Sequence, residues 1–153
     1  LDIYVSINAS NGGYNHKVKR ALGTEFGMHN DIDQYVNIEG KNPVVGVWTN
    51  KEKDVQLILL DIAHPMVYVS QYFDIGICEA VMDATGEIQL SENFVEDREK
   101  RVVRLRPKVH HSYHTIGKAI AEHLPRVAKK YPEYNQVIDT NLIRPASVVW
   151  HNV

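Results

Sequence analysis

The stretch LDIYVSINASNGGYNHKVKRALGTEFGMHNDID, residues 1–33, decides how this chain is read. In Leu1 to Ile7 apolar and polar side chains alternate at period two, which predicts a strand. A polar segment with two glycines, Asn8 to Asn15, follows as a turn. His16 to Leu22 fits a short helix, and Gly23 fits its C-terminal stop. Ile32 to Ile38 reads as the next strand, opened by Asp31-Ile32-Asp33. On a strand, Asp31 and Asp33 project from the same face, with Cα atoms about 7 Å apart. Two carboxylates so placed suit hard divalent cations shared with phosphate oxygens, the arrangement that clamps both oxygens of a phosphoryl transfer. Gly12 and Gly13, between a strand and a helix, allow the backbone to approach an anion at a helix N-terminus. Each feature alone also occurs as an ordinary acidic strand start or an ordinary turn.

Working outward, Val44 to Thr49 and the apolar Val55 to Ile62 read as strands. Pro65 starts a short helix through Tyr72. Asp74 to Met82 reads as a strand, turned at Ala84 to Glu87 into Ile88 to Leu90. Ser91 is the expected N-cap of a charged helix from Glu92 to Arg101, with Val102 to Leu105 a strand or the helix end. From Ser112 to Tyr131 the apolar residues Ile116, Ile120, Leu124, Val127 and Ala128 form a helical stripe, which Pro125 should kink or split. Leu142 to Trp150 reads as a short extended segment.

The chain has 153 residues, 44% hydrophobic and 24% charged, with net charge −2. That composition predicts a folded globular chain of about one domain, excludes disorder, and gives no overall field for nucleic acid. No apolar run is long enough to cross a membrane, and no signal peptide is visible. The chain begins with Leu1 rather than Met, which leads us to expect a trimmed or processed chain. The single cysteine, Cys78, cannot form an internal disulfide, which favours a reducing compartment. It sits among apolar residues and reads as a buried, inert thiol.

The ordered set Gly12-Gly13, Val18-Lys19-Arg20-Ala21-Leu22-Gly23 and Asp31-Ile32-Asp33 resembles the nucleotidyltransferase superfamily that includes polymerase β. It is most similar to CCA-adding and small phage-encoded members. Val55-Gln56-Leu57-Ile58-Leu59-Leu60 and Phe73-Asp74-Ile75-Gly76-Ile77-Cys78 extend the likeness, which covers roughly residues 1 to 105. The resemblance implies an α+β fold, with a mixed β-sheet of about five strands and helices packed on one face. We expect a core over residues 1–105 and a helical C-terminal segment over 106–153, forming a single compact domain.

The resemblance further implies transfer of a nucleoside monophosphate from a nucleoside triphosphate to a hydroxyl acceptor, with two Mg²⁺ ions. Asp31 and Asp33 would hold the metals. Asp74 is the first candidate for a third metal-binding carboxylate or base, and Asp61 the second. Asn11, Gly12, Gly13, Lys17, Lys19 and Arg20 would bind the triphosphate. The acceptor stays open among RNA, a protein hydroxyl and a small molecule. The location implied is cytoplasmic, or the host cytoplasm for a phage-encoded chain. Val18-Lys19 stand where the family has an Arg-Asp pair, and no serine follows Gly13. These departures carry the alternative reading, an inactive module of the same fold that engages a host or partner protein. A metal-dependent phosphohydrolase using the same acidic pair is a third.

Two further groups stand out. His110, His111 and His114 cluster, but no third ligand accompanies the i, i+4 pair, so they read as solvated or acceptor-contacting side chains. Arg98, Lys100, Arg101, Arg104, Arg106 and Lys108 form a basic stretch. Its last three cations, spaced by two, would line one strand face, solvated or guiding a nucleic-acid backbone. Tyr113, Tyr131 and Tyr134 add aromatic surface nearby.

Overall fold

A computed structural model describes residues 1–7, 14–29, 43–108, 111–139 and 150–152. The class is α+β, with strands paired in both senses. The strands among the described residues form sheets of four, three and two strands. The chain divides into two compact units, Leu1–Val67 and Tyr68–Val153.

The first unit holds β1 (Asp2–Ser6), α1 (Tyr14–Leu22), β2 (Gly27–His29), β3 (Val44–Asn50) and β4 (Val55–Leu60), in sheet order β1-β4-β3-β2. β1 runs parallel to β4; β3 is antiparallel to both β4 and β2. The β-branched and aliphatic residues of β3 and β4 put apolar side chains on both faces of the central strands. Val47 and Ile58 share one face, Trp48 and Leu59 lie on the other, and all four are buried. Gly23 ends α1 with φ +64°, its N–H donating to the Lys19 carbonyl at 3.1 Å. β2 had no counterpart in the sequence reading. The strand expected over Ile32 to Ile38 lies outside the described residues.

In the second unit, the helix begun at Pro65, α2 (Pro65–Tyr72), leads into β5 (Ala80–Met82), β6 (Ile88–Ser91), α3 (Glu92–Lys100) and β7 (Val102–Leu105). After these come α4 (Tyr113–Lys118), α5 (Leu124–Ala128), β8 (Asn135–Ile138) and β9 (Trp150–Asn152). β6 pairs antiparallel with β5 and β9, and β8 lies parallel to β7. Ile75, Ile77, Val103, Leu105, Ala119, Leu124 and Val127 form the core.

Two elements depart from expectation for physical reasons. The strand expected from Asp74 to Met82 survives only as an isolated bridge between Ile75 and Leu105 and as β5. Between them Gly76–Cys78 is a 3-10 turn, because at Gly76 the backbone bends around an ion pair described below. The helix from Ser112 to Tyr131 accommodates Pro125 through a π-helical turn at Ala119–His123, where the Leu124 N–H reaches back five residues to the Ala119 carbonyl. The C-terminal segment is therefore helical as expected up to Ala128. It then adds β8 and β9, of which only Trp150 lay in a segment read as extended.

Candidate functional site

Asn11, Gly12, Gly13, Asp31 and Asp33 lie outside the described residues. The residues flanking them are described, and the sheet register fixes where they stand. Ser6 pairs with Leu60, and the Ile7 N–H donates to the Leu60 carbonyl at 2.8 Å. The Asp61 N–H donates to the Pro43 carbonyl, also at 2.8 Å. The carboxyl ends of β1 and β4 and the start of β3 thus share one end of the sheet. β2 runs toward that same end, with His29 opposite Val47 and Gly27 opposite Thr49. Carboxyl ends of parallel strands are where open α/β sheets take their ligands. Asp61 stands there, exposed.

Lys17, Lys19 and Arg20 lie on α1, whose Val18 and Leu22, at i, i+4, are half-buried. All three cations are exposed, and none forms an ion pair among the described residues.

Asp74 belongs to the second unit. Its carbonyl accepts the Arg106 N–H at 2.6 Å, which fixes the residue to the end of β7. Its carboxylate is 15% exposed, with Oδ2 3.9 Å from Nδ1 of His123, the last residue of the π-helical turn. The sequence reading had not singled out His123; a proline two residues downstream was its only signal.

The basic stripe of Arg104, Arg106 and Lys108 is not a solvated strand face. Arg106 is buried and donates from both terminal nitrogens to Asp97 on α3, at 2.7 Å each, with Glu96 at 3.1 Å. Arg104 bonds Glu96 at 3.1 Å and lies 3.7 Å from Asp139. Lys108 is buried with Nζ 3.7 Å from Glu79, whose other oxygen accepts from Asn93 at 3.0 Å. Acids eight to ten residues back on α3 for Arg104 and Arg106, and Glu79 for Lys108, internalise these cations, because burying an unpaired charge is prohibitive. The legible signal was Glu79, an acid in an otherwise apolar run.

Burial dominates the protonation of this cluster. It pushes the Glu79 carboxyl up, against pull from Ser91, Lys108 and Asn93. Burial likewise lowers Lys108, with Glu79 opposing. Desolvation alone would lower Arg106, but its bonds to Asp97 hold the guanidinium above its ordinary value. Cys78 is pushed up to about 11 by burial and by Asp74, with Lys130 and Arg126 opposing.

His111 is buried, and its Nδ1 accepts the Lys108 N–H at 3.3 Å; His114 is exposed, and His110 lies outside the described residues. Among the described residues no three His, Cys, Asp or Glu side chains group as a metal site. No helix there is long and apolar enough to cross a membrane. Comparison with known protein families, curated proteins and solved structures finds no match.

Proposed function

We propose that the chain is a metal-dependent nucleotidyltransferase whose nucleotide site lies at the carboxyl end of β1 and β4. The supporting observation is that Ile7, ahead of the glycine turn, and Pro43, after the acidic stretch, are bonded at that one end of the sheet, toward which β2 also runs. Asp31 and Asp33 hold the metals. Asp61, at the end of β4, is the candidate third carboxylate within this unit; Asp74, the first candidate from the sequence, belongs to the second unit. The amides around Gly13 cradle the triphosphate, with Lys17, Lys19 and Arg20 set against its charge. An acceptor hydroxyl would give its proton to the third carboxylate and attack the α-phosphorus, and the bond to pyrophosphate would break as pyrophosphate leaves. Two Mg²⁺ ions, held by Asp31 and Asp33, would supply neutralisation of the charge that develops on the attacking and leaving oxygens.

The test is thermal stabilisation by each nucleoside triphosphate with and without Mg²⁺. The wild type is compared with Asp31→Ala/Asp33→Ala, Asp61→Asn and Asp74→Asn. A ligand at a hundred times its dissociation constant stabilises by about 2.7 kcal/mol. A metal-dependent shift lost in the double variant supports the transferase, and the single variants name the third carboxylate. No shift with any of the four nucleotides favours the inactive, partner-binding module.

A further inference from the structure

The stripe of Arg104, Arg106 and Lys108, which reads from the sequence as solvated or as guiding a nucleic-acid backbone, is neutralised internally by the fold. Other cations of the second unit remain outside. On α5 and the turn after it, Leu124, Val127 and Ala128 face the core, while Arg126, Lys129 and Lys130 are exposed. Arg126, Lys129 and Lys130 form no ion pair among the described residues. Arg126 and Lys130, at i, i+4, stand about 6 Å apart along the helix direction. His123 precedes Arg126 by three residues and continues the row. Its other end meets Tyr131 and Tyr134, half-buried against the core with ring centroids 5.2 Å apart, so that only part of each ring faces outward. Across the start of the β7–β8 pair, where the Asn135 N–H donates to the Arg101 carbonyl at 3.0 Å, Arg98 and Arg101 add two exposed cations. The acids in this region are Glu99, Glu122, Glu133 and the largely buried Asp74 beside His123, fewer than the exposed cations Arg98, Arg101, Arg126, Lys129 and Lys130, which leaves the surface positive.

We propose that His123, Arg126, Lys129 and Lys130, with the Tyr131–Tyr134 pair, bind the phosphate backbone of single-stranded nucleic acid. Cations in a row beside aromatic rings are the arrangement such strands use: charge tracks the phosphates and rings stack on bases. An acidic peptide would use the cations and leave the rings idle. All these residues lie beyond residue 105, outside the stretch that carries the family resemblance. The proposal is independent of the transferase reading, because binding is measured without metal or nucleoside triphosphate.

The test is fluorescence anisotropy of the full chain with labelled twelve-nucleotide oligo(U) and oligo(dT), over a salt series from 50 to 200 mM. The variants are Arg126→Glu/Lys130→Glu and Tyr134→Leu, with Lys51→Glu/Lys53→Glu in the first unit as the charge-matched control. All are checked for folding by circular dichroism. Three phosphate contacts give a log–log salt slope of about −2, and reversing two cations flattens it by about 1.4. The reversal weakens binding at least about tenfold, whereas the control stays close to wild type after allowance for net charge. Equal binding of the two oligonucleotides supports backbone recognition, and preference for oligo(U) supports additional reading of the 2′-hydroxyl. Three results overturn the proposal: no binding at 50 mM salt, loss in the control equal to that in the reversal, or competition by polyglutamate as effective as by unlabelled oligonucleotide.

Discussion

Arg106 and Asp97 meet side by side, both closed to water, with two hydrogen bonds of 2.7 Å between them. This pair fixes α3 to the end of β7. Removing Asp97 leaves the buried Arg106 with Glu96 alone, and removing Arg106 leaves the buried Asp97 with only Arg104, 4.0 Å away; breaking a buried pair costs about 3–5 kcal/mol. Asp97→Ala and Arg106→Met are each expected to lose about that much in urea unfolding. The double variant should recover part of the loss, and strictly additive losses would refute the coupling.

Gly76 is the backbone side of the same arrangement. A Cβ built there would overlap the Arg106 guanidinium and the Asp97 carboxylate. Gly76→Ala is therefore expected to destabilise by about 1–3 kcal/mol, the usual penalty of overpacking. In Asp97→Ala the same substitution should cost less, which a double-mutant cycle reads directly.

Glu79 and Lys108 give the second unit a pH signature. The Glu79 carboxyl is raised in the folded state, so folding holds its proton more tightly than the unfolded chain does. Its contribution is full below the ordinary carboxylate range and is lost as pH rises through the folded value. Lys108 is lowered, and its contribution is present above the ordinary lysine range and lost as pH falls through the folded value. Glu79→Gln removes the first effect. The stability difference between wild type and Glu79→Gln should therefore shift toward the variant as pH rises from about 4.5 toward neutrality. Urea midpoints at each pH measure it, and a difference that is flat or moves toward wild type would refute it.

Cys78, with its thiol at about 11, has almost no thiolate at neutral pH. It should resist iodoacetamide and aromatic disulfides at pH 7.5 in the folded chain and react promptly in urea. Fast labelling under native conditions would contradict this burial.

Local signals were the legible part of the fold. Period-two alternation announced β1, β-branched and apolar runs announced β3 and β4, and Ser91 announced α3 through its bond from the Phe94 N–H at 3.0 Å. What escaped was decided over distance. Asp74 to Met82 has strand-forming residues, but Gly76 bends where Arg106, thirty positions later, needs space. Arg104, Arg106 and Lys108 alternate like a solvated edge, and only the position of α3 and Glu79 reveals them as internal. β8 is short and polar, and it forms because β7 offers Val102 to Leu105 as a parallel partner. In the candidate site, Lys17, Lys19, Arg20, Asp61 and Asp74 could be located, and the first three are exposed on one helix as read. Asp31, Asp33 and the glycine turn lie outside the described residues.

The π-helical turn before Pro125 amounts to one residue more than an α-helix needs to cover the same length. The proline is what makes that surplus tolerable, since it supplies no N–H and its ring would crowd the carbonyl four residues earlier in a regular helix. The two are a matched insertion: deleting one residue from Ala119–His123 while keeping Pro125 would turn His123 about 100° away from Asp74 and drive the ring into the backbone. Deleting the residue and replacing the proline together would instead give an unbroken α-helix, free of the clash, with Leu124 and Val127 turned by about 100° relative to Ile116. The spacing between Ile116 and Val127 is thus a length setting of this chain, fixed by a pair of positions that must change together.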